Sequence, residues 1–282
     1  MKKTTKLREL LKRNKTTLVP FTYDAFAARI GQEIGFEAIY MSGFGASMSR
    51  GIPDMGLLTQ TEMVQNASYI AQAIDIPLIA DADTGYGNPL NTYRTVREYE
   101  RAGVAGIHIE DQVAPKKCGF FEGKEVISIE EAVEKIRSAV DARSDPDFVI
   151  IGRTDALAVN GWEDTIKRCR AFYEAGADMV FIDGIKTLQD LQKYADLLKD
   201  LPRMYNGQLP LAESDKLGFK IQIHRGPMFG LHTAISGFMK ELYDNGLMAN
   251  DLDGDGKELR EAITKTLGMD ELLELESRYA VK

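Results

Sequence analysis

PLIADADTGYGN, residues 77–88, reads as one complete step of an α/β fold. The run, residues 77–83, opens on four residues with no polar face, as in a strand covered on both sides. Asp81 and Asp83 close the run, and TGYGN supplies turn residues and a helix start. The same rhythm recurs along the chain at residues 16–23, 38–43, 106–111, 148–155, 179–184, 203–208 and 220–225. Helical segments separate these runs. ISIEEAVEKIRSAVDA places Ser128 and Glu131 at capping-box spacing, and RAGVAG and EAGADM place Gly103 and Gly176 where a left-handed cap turns the chain back into a strand. Eight such runs without a linker or repeat predict a single (β/α)8 (TIM) barrel over residues 1–282, with a doubly wound open sheet as the structural alternative. Residues 227–282 add helices that a barrel does not need, with an apolar face running from Met228 and Phe229 to Leu242 and Tyr243. That face predicts a homo-oligomer.

In a barrel the reacting groups gather at the carboxyl ends of the strands. The polar residues that close the runs are Tyr40, Ser42 and Gly43; Asp81 and Asp83; Glu110 and Asp111; Arg153 and Asp155; Asp183; Asn206 and Gln208; and His224. Carboxylates closing successive strands converge on one cavity and repel one another unless a cation sits among them. Asp81 and Asp83, two apart, are expected on the same strand face. Oxygen ligands with no histidine beside them favour Mg²⁺, with Mn²⁺ as a substitute, at Asp81, Asp83 and Glu110. KKCGFFEGK, residues 116–124, is a long glycine-containing excursion that reads as a lid, and Cys118 within it, flanked by cationic side chains, is a candidate acid. Cys169 and His108 read as core residues.

The whole-chain charge is −8, from 35 basic and 43 acidic residues, which argues against nucleic acid or an anionic membrane as partner. Two distant cysteines fit a reducing compartment, and the cytoplasm is the expected location. The basic start, MKKTTKLRELLKRNKTT, lacks the apolar run of a signal peptide and reads as a surface helix, and no stretch is long enough to span a membrane. DLDGDGKELREA, residues 251–262, begins like a calcium loop but has Ala262 where the bidentate glutamate belongs. The glycines of SGFGASMSRG stop short of a dinucleotide fingerprint.

Taken together, YMSGFG, RGIPDMGLLT, ADADTGYGN, GIHIEDQ, APKKCG and IGRTDA resemble the isocitrate lyase and phosphoenolpyruvate mutase superfamily over nearly the whole chain. The closest resemblance is to its short lyase branch, which contains 2-methylisocitrate lyase, 2,3-dimethylmalate lyase and the petal death protein. The resemblance implies a barrel whose last helix is exchanged between subunits of a dimer of dimers. It also implies Mg²⁺ held through Asp83, with Asp81 and Glu110 acting directly or through water. Ser42, the N–H groups of Gly43 and Phe44, and Arg153 would cradle a pyruvyl carboxylate. Tyr40 and Asp54 would shape the site. Cys118 would protonate the departing carbanion, with Lys116, Gly119 and Asn206 also at the substrate.

The implied activity is cleavage of a 2-hydroxy dicarboxylate, such as 2,3-dimethylmalate or 2-methylisocitrate, to pyruvate and a carboxylic acid by a retro-aldol or Claisen-type step. Phe120 stands where isocitrate-type lyases carry His, Asp183 where they carry Glu, and MYNGQLPLAES has no acidic residue before Glu213. These departures favour a smaller 2-alkylmalate. The alternatives are an oxaloacetate hydrolase or decarboxylase on the same scaffold, and a catalytically silent barrel serving as an assembly or sensor subunit.

Overall fold

The computed structural model describes residues 1–118, 122–248 and 256–280. Its eight strands are β1 (Thr17–Thr22), β2 (Ile39–Met41), β3 (Leu78–Asp81), β4 (Gly106–Glu110), β5 (Val149–Thr154), β6 (Met179–Ile182), β7 (Arg203–Asn206) and β8 (Ile221–His224). All pair in parallel in sequence order, and β8 pairs with β1, so the sheet closes. Closure excludes the open doubly wound sheet. Each strand lies inside the apolar run that announced it.

The helices are α1 (Lys3–Lys12), α2 (Ala25–Ile34), α3 (Gly43–Met48), α4 (Gln60–Ala73), α5 (Pro89–Arg101), α6 (Ile129–Ala142), α7 (Gly161–Glu174), α8 (Leu188–Leu197), α9 (Leu211–Leu217), α10 (Gly226–Asn245), α11 (Lys257–Thr266) and α12 (Met269–Tyr279). Their starts are locally encoded. Ser128 accepts the Glu131 N–H at α6, and Asn88 and Asn91 cap α5 reciprocally around Pro89. Gly103 and Gly176 take left-handed conformations (φ 84° and 103°) where α5 and α7 end.

Apolar side chains fill two layers, one inside the barrel and one between strands and helices. Fully buried residues such as Ile107, Phe148, Ile150 and Phe181 each contribute roughly 1.5–3 kcal/mol by leaving water. The N-terminal helix is more than a surface element: Leu7 and Leu10 of α1 are buried with Ala105, Val149 and Met179, closing the floor of the barrel. With the floor closed, the carboxyl ends of the strands are the open mouth.

Beyond β8 the pattern changes. In α10 only Met228 is buried, whereas Phe229, Ile235, Phe238, Met239, Leu242 and Tyr243 are exposed. Further on, the chain returns to the barrel, where Arg29 of α2 donates to the Thr266 carbonyl of α11. The DLDGD part of the calcium-like stretch lies outside the described residues. No described helix is long and apolar enough to cross a membrane.

Candidate active site

A cavity at the carboxyl ends of the strands is lined by Tyr40, Ser42, Phe44, Asp54, Asp81, Lys116, Cys118, Arg153, Asp183 and Asn206, with Phe21, Phe181 and Ile223 as apolar wall. Its free space is about 40 Å³, room for a few waters. Larger clefts on the outer helices gather no comparable set of groups. Nine of the thirteen expected site residues therefore share one wall. Asp83, Glu110 and Gly43 stand directly behind it, and Gly119 lies outside the described residues.

Asp81 and Asp83 are brought together differently from expectation. The β3 strand stops at Asp81, and Asp83 lies beyond it with φ 45°, a left-handed conformation that Asp tolerates better than most residues. The Asp81 Oδ1 accepts the Asp83 N–H at 3.0 Å, while its Oδ2 accepts the Gly43 N–H at 3.0 Å. A turn held by a side chain, and not the alternation of a strand, sets the pair. A Cβ on Gly43 would stand 2.8 Å from Asp81 Oδ2 and 3.3 Å from Asp83 Oδ1. The bare glycine keeps that space open. Ser42 caps α3, its Oγ accepting the Gly45 N–H at 3.4 Å.

Lys116 enters between the carboxylates, with its Nζ 2.5 Å from Asp54 Oδ1 and 3.1 Å from Asp83 Oδ1. Arg153 is held by three acids. Its Nε donates to Asp155 at 2.9 Å, Nη1 lies 3.0 Å from Glu110 Oε2, and Nη2 lies 3.2 Å from Asp183 Oδ2. Lys124, at the far end of the Lys116–Lys124 loop, pairs with Asp155 Oδ1 at 2.9 Å. Asp111 supports the array from below, accepting from Thr154, the Asp155 N–H and Arg168.

Burial sets the proton affinities, and the neighbours modify them. It pushes the Asp83 carboxyl up to about 6, with Lys116 opposing and Asp81 and Asp54 reinforcing. Burial alone would also raise Asp81, but His108, Lys116 and Arg153 outweigh it and hold that carboxyl down at about 2. Burial raises Glu110 well above the usual carboxylate range against the pull of Arg153. Lys116 stays charged because Asp83, Asp81 and Glu110 overcome its desolvation.

Cys118 was expected on an open loop but is buried, 7% exposed, at the cavity wall, with its N–H donated to the Asp54 carbonyl at 3.1 Å. Cys169 is a core residue of α7, its thiol pushed far up by burial. His108 is the core residue expected, but only one of its ring nitrogens is satisfied. Its Nε2 lies 2.7 Å from the Tyr40 hydroxyl and 3.6 Å from Asp81 Oδ1, its Nδ1 has no partner, and burial pulls its pKa down to about 4 against the charge of Asp81. His224 spends its Nδ1 on the Gly226 N–H.

The donor set suits a hard cation. Asp83 Oδ1 and Glu110 Oε2 are buried without an aligned hydrogen bond, although Lys116 and Arg153 stand near them. Each is met by an ion pair alone, which leaves lone pairs that a further cation or a proton could meet. Among the described residues no three acid, imidazole or thiol groups converge into a complete chelating set.

Reading the residues alone missed Gln112, the contact of His108 with Tyr40, and the Lys124–Asp155 pair. GIHIEDQ held the signal for two of them: a polar residue within an apolar strand and another just past its end.

The phosphoenolpyruvate phosphomutase family profile matches residues 7–232. The chain belongs to that family. A 2,3-dimethylmalate lyase of Eubacterium barkeri is 47% identical over 226 residues, covering 78% of each chain. A 2-methylisocitrate lyase of Aeropyrum pernix is 39% identical over 255 residues, covering 88% of this chain and 82% of the relative. Among solved structures, a 2,3-dimethylmalate lyase superposes with TM-score 0.90 at 34% identity, covering 99% of this chain and 95% of that one. An oxaloacetate acetylhydrolase bound to 3,3-difluorooxalacetate superposes with TM-score 0.92 at 33% identity, over 99% and 97%. A phosphonopyruvate hydrolase complexed with oxalate and Mg²⁺ superposes with TM-score 0.88 at 29% identity, over 99% of both chains.

Proposed function

We propose that this chain is a Mg²⁺-dependent carbon–carbon lyase that cleaves a 2-alkylmalate-type 2-hydroxy dicarboxylate into pyruvate and a second carboxylic acid. The observation that carries the reading is the placement of Cys118 in one cavity with Lys116, Arg153 and the Asp81 carboxylate. Lyase relatives over most of the chain support it.

In the proposed reaction the C2 hydroxyl gives its proton to solvent, C2 becomes the carbonyl of pyruvate, and the C2–C3 electron pair remains on C3, which takes the Cys118 thiol proton before solvent reprotonates the thiolate. Mg²⁺, or Mn²⁺ in its place, would be held through Asp83, with Asp81 and Glu110 acting directly or through water. When bound it would polarise the substrate oxygens and balance the developing anion. Ser42, Phe44 and Arg153 face the carboxylate end of the substrate. Gly43 is assigned beside them, although its N–H serves Asp81 in this structure. Tyr40, its phenol kept protonated by burial, shapes the floor with Asp54. Cys118 delivers the proton to C3, and Lys116, Gly119 and Asn206 contact the substrate.

The size of the departing acid follows from the wall. Phe21, Phe44, Phe181 and Ile223 are apolar, and the lining cations, Lys116 and Arg153, are both engaged by carboxylates. A third substrate carboxylate finds no further described cation there, which favours 2,3-dimethylmalate over 2-methylisocitrate. We place the enzyme in the cytoplasm as one domain, with residues 227–282 joining subunits in a dimer of dimers by exchange of α10, whose apolar residues are exposed among the described residues.

A panel of 2-hydroxy dicarboxylates read by pyruvate release tests this reading, with the alkylmalates expected to turn over fastest. Release of oxalate or CO₂ from oxaloacetate, without cleavage of any alkylmalate, would transfer the site to the acetylhydrolase or decarboxylase chemistry instead.

A further inference from the structure

The Gln112 side chain is buried and makes three hydrogen bonds. Its Oε1 accepts the Lys117 N–H at 2.9 Å, and its Nε2 donates to the Lys117 carbonyl at 2.9 Å and to Glu110 Oε1 at 3.0 Å. The first two fix the orientation of the amide, because a backbone N–H requires its oxygen and a backbone carbonyl its nitrogen. The remaining amide proton is thereby aimed at Glu110. One side chain thus reads both backbone groups of Lys117, the residue between Lys116 and Cys118, and joins them to a carboxylate at the end of β4. The base of this segment is held separately, by the Gln112–Val126 bridge and the Val113 N–H on the Glu125 carbonyl. That base fixes where the segment leaves the barrel; at its other end the Cys118 N–H meets the Asp54 carbonyl and Lys116 pairs with Asp54 and Asp83, and Gln112 holds the Lys117 backbone between them.

We propose that Gln112 is a positioning residue that uses Glu110 as an anchor to hold the Lys116 ammonium and the Cys118 thiol against the mouth of the barrel. This rests on the reading of Cys118 as proton donor. No charge is required of Gln112, and a neutral amide suits the place: it donates to Glu110 without competing with Lys116 or Arg153 for the acids. Glutamate there would set an oxygen against both the Lys117 carbonyl and Glu110.

The test is thiol alkylation of the full-length protein by iodoacetamide, resolved by mass spectrometry at Cys118 and Cys169, without added metal or substrate. Gln112→Met preserves size and removes all three hydrogen bonds; Gln112→Glu removes the two donated ones. Cys118 is expected to react about tenfold faster in both variants, the size of effect expected when two or three hydrogen bonds of small net worth are lost, with Cys169 unchanged. The Lys117 amide should exchange deuterium faster by a similar factor. In turnover, kcat should fall and KM change less. A Cys118 rate equal to wild type in folded Gln112→Glu would overturn the proposal. Should Gln112→Met expose both thiols together, it has lost the fold, and Gln112→Glu decides. If wild type releases no pyruvate from any alkylmalate, the lyase reading fails, whereas the alkylation contrast still reports the clamp.

Discussion

The Asp81 carboxylate accepts the backbone N–H of Asp83 at 3.0 Å, so one candidate metal-site residue sets the conformation of the other. The second oxygen of Asp81 takes the Gly43 N–H. A single buried acid therefore joins the ends of β2 and β3, and its own carboxyl is held down at about 2 while that of Asp83, with Oδ1 lacking an aligned hydrogen bond, is raised to about 6.

Asp83 should make the metal-free protein less stable as pH rises. Its folded-state value, about 6, lies above the ordinary 3.8, so the native state binds more protons than the unfolded state between those limits and loses stability across that window. Asp83→Asn removes this cost. Chemical denaturation in chelator should show the variant gaining on wild type between pH 4 and pH 7, by up to about 3 kcal/mol. A gap that stays constant with pH would contradict the assignment.

Gly43→Ala should weaken cation binding without unfolding the chain. The added methyl meets Asp81 Oδ2 at 2.8 Å and Asp83 Oδ1 at 3.3 Å, and the carboxylates must move apart. Calorimetric titration with Mn²⁺ is expected to show roughly a tenfold loss of affinity, in line with disturbed support around a metal site. Unchanged affinity would mean the cation sits elsewhere.

Cys118→Ser retains the shape but replaces the thiol with a hydroxyl, a far weaker acid. Steady-state kinetics should show kcat lowered by about 10² to 10⁴, typical of a lost general acid, with KM little changed. Cys169→Ser should turn over normally. The reverse pattern would assign the two thiols the wrong way round.

Ile235→Asp with Phe238→Asp should yield a monomer by sedimentation velocity, because these α10 side chains are about half exposed among the described residues. A wild-type protein that sediments as an active monomer would remove the exchange of α10.

The barrel was legible because each strand is buried on both faces, and burial on both faces writes an unbroken apolar run such as Phe148–Ile151. The polar residue closing each run was equally legible, which is why Asp81, Glu110, Arg153 and Asp183 were placed at one end. How they touch was not. The turn that holds Asp83 depends on a left-handed backbone at a non-glycine residue, and the Gln112 clamp depends on a segment folding back over the barrel. Neither leaves a periodic trace. His108 looked like filler because one polar residue in an apolar strand carries no mark of what lies across the barrel, here the hydroxyl of Tyr40.

The most direct test is cleavage of 2,3-dimethylmalate in D₂O with Mg²⁺, the products identified by NMR. Bond breaking between C2 and C3 followed by protonation of C3 predicts equal amounts of pyruvate and propionate, the propionate carrying one deuterium at C2, with turnover abolished by chelator and restored by Mg²⁺. Absence of propionate, or turnover undiminished in excess chelator, would contradict the account.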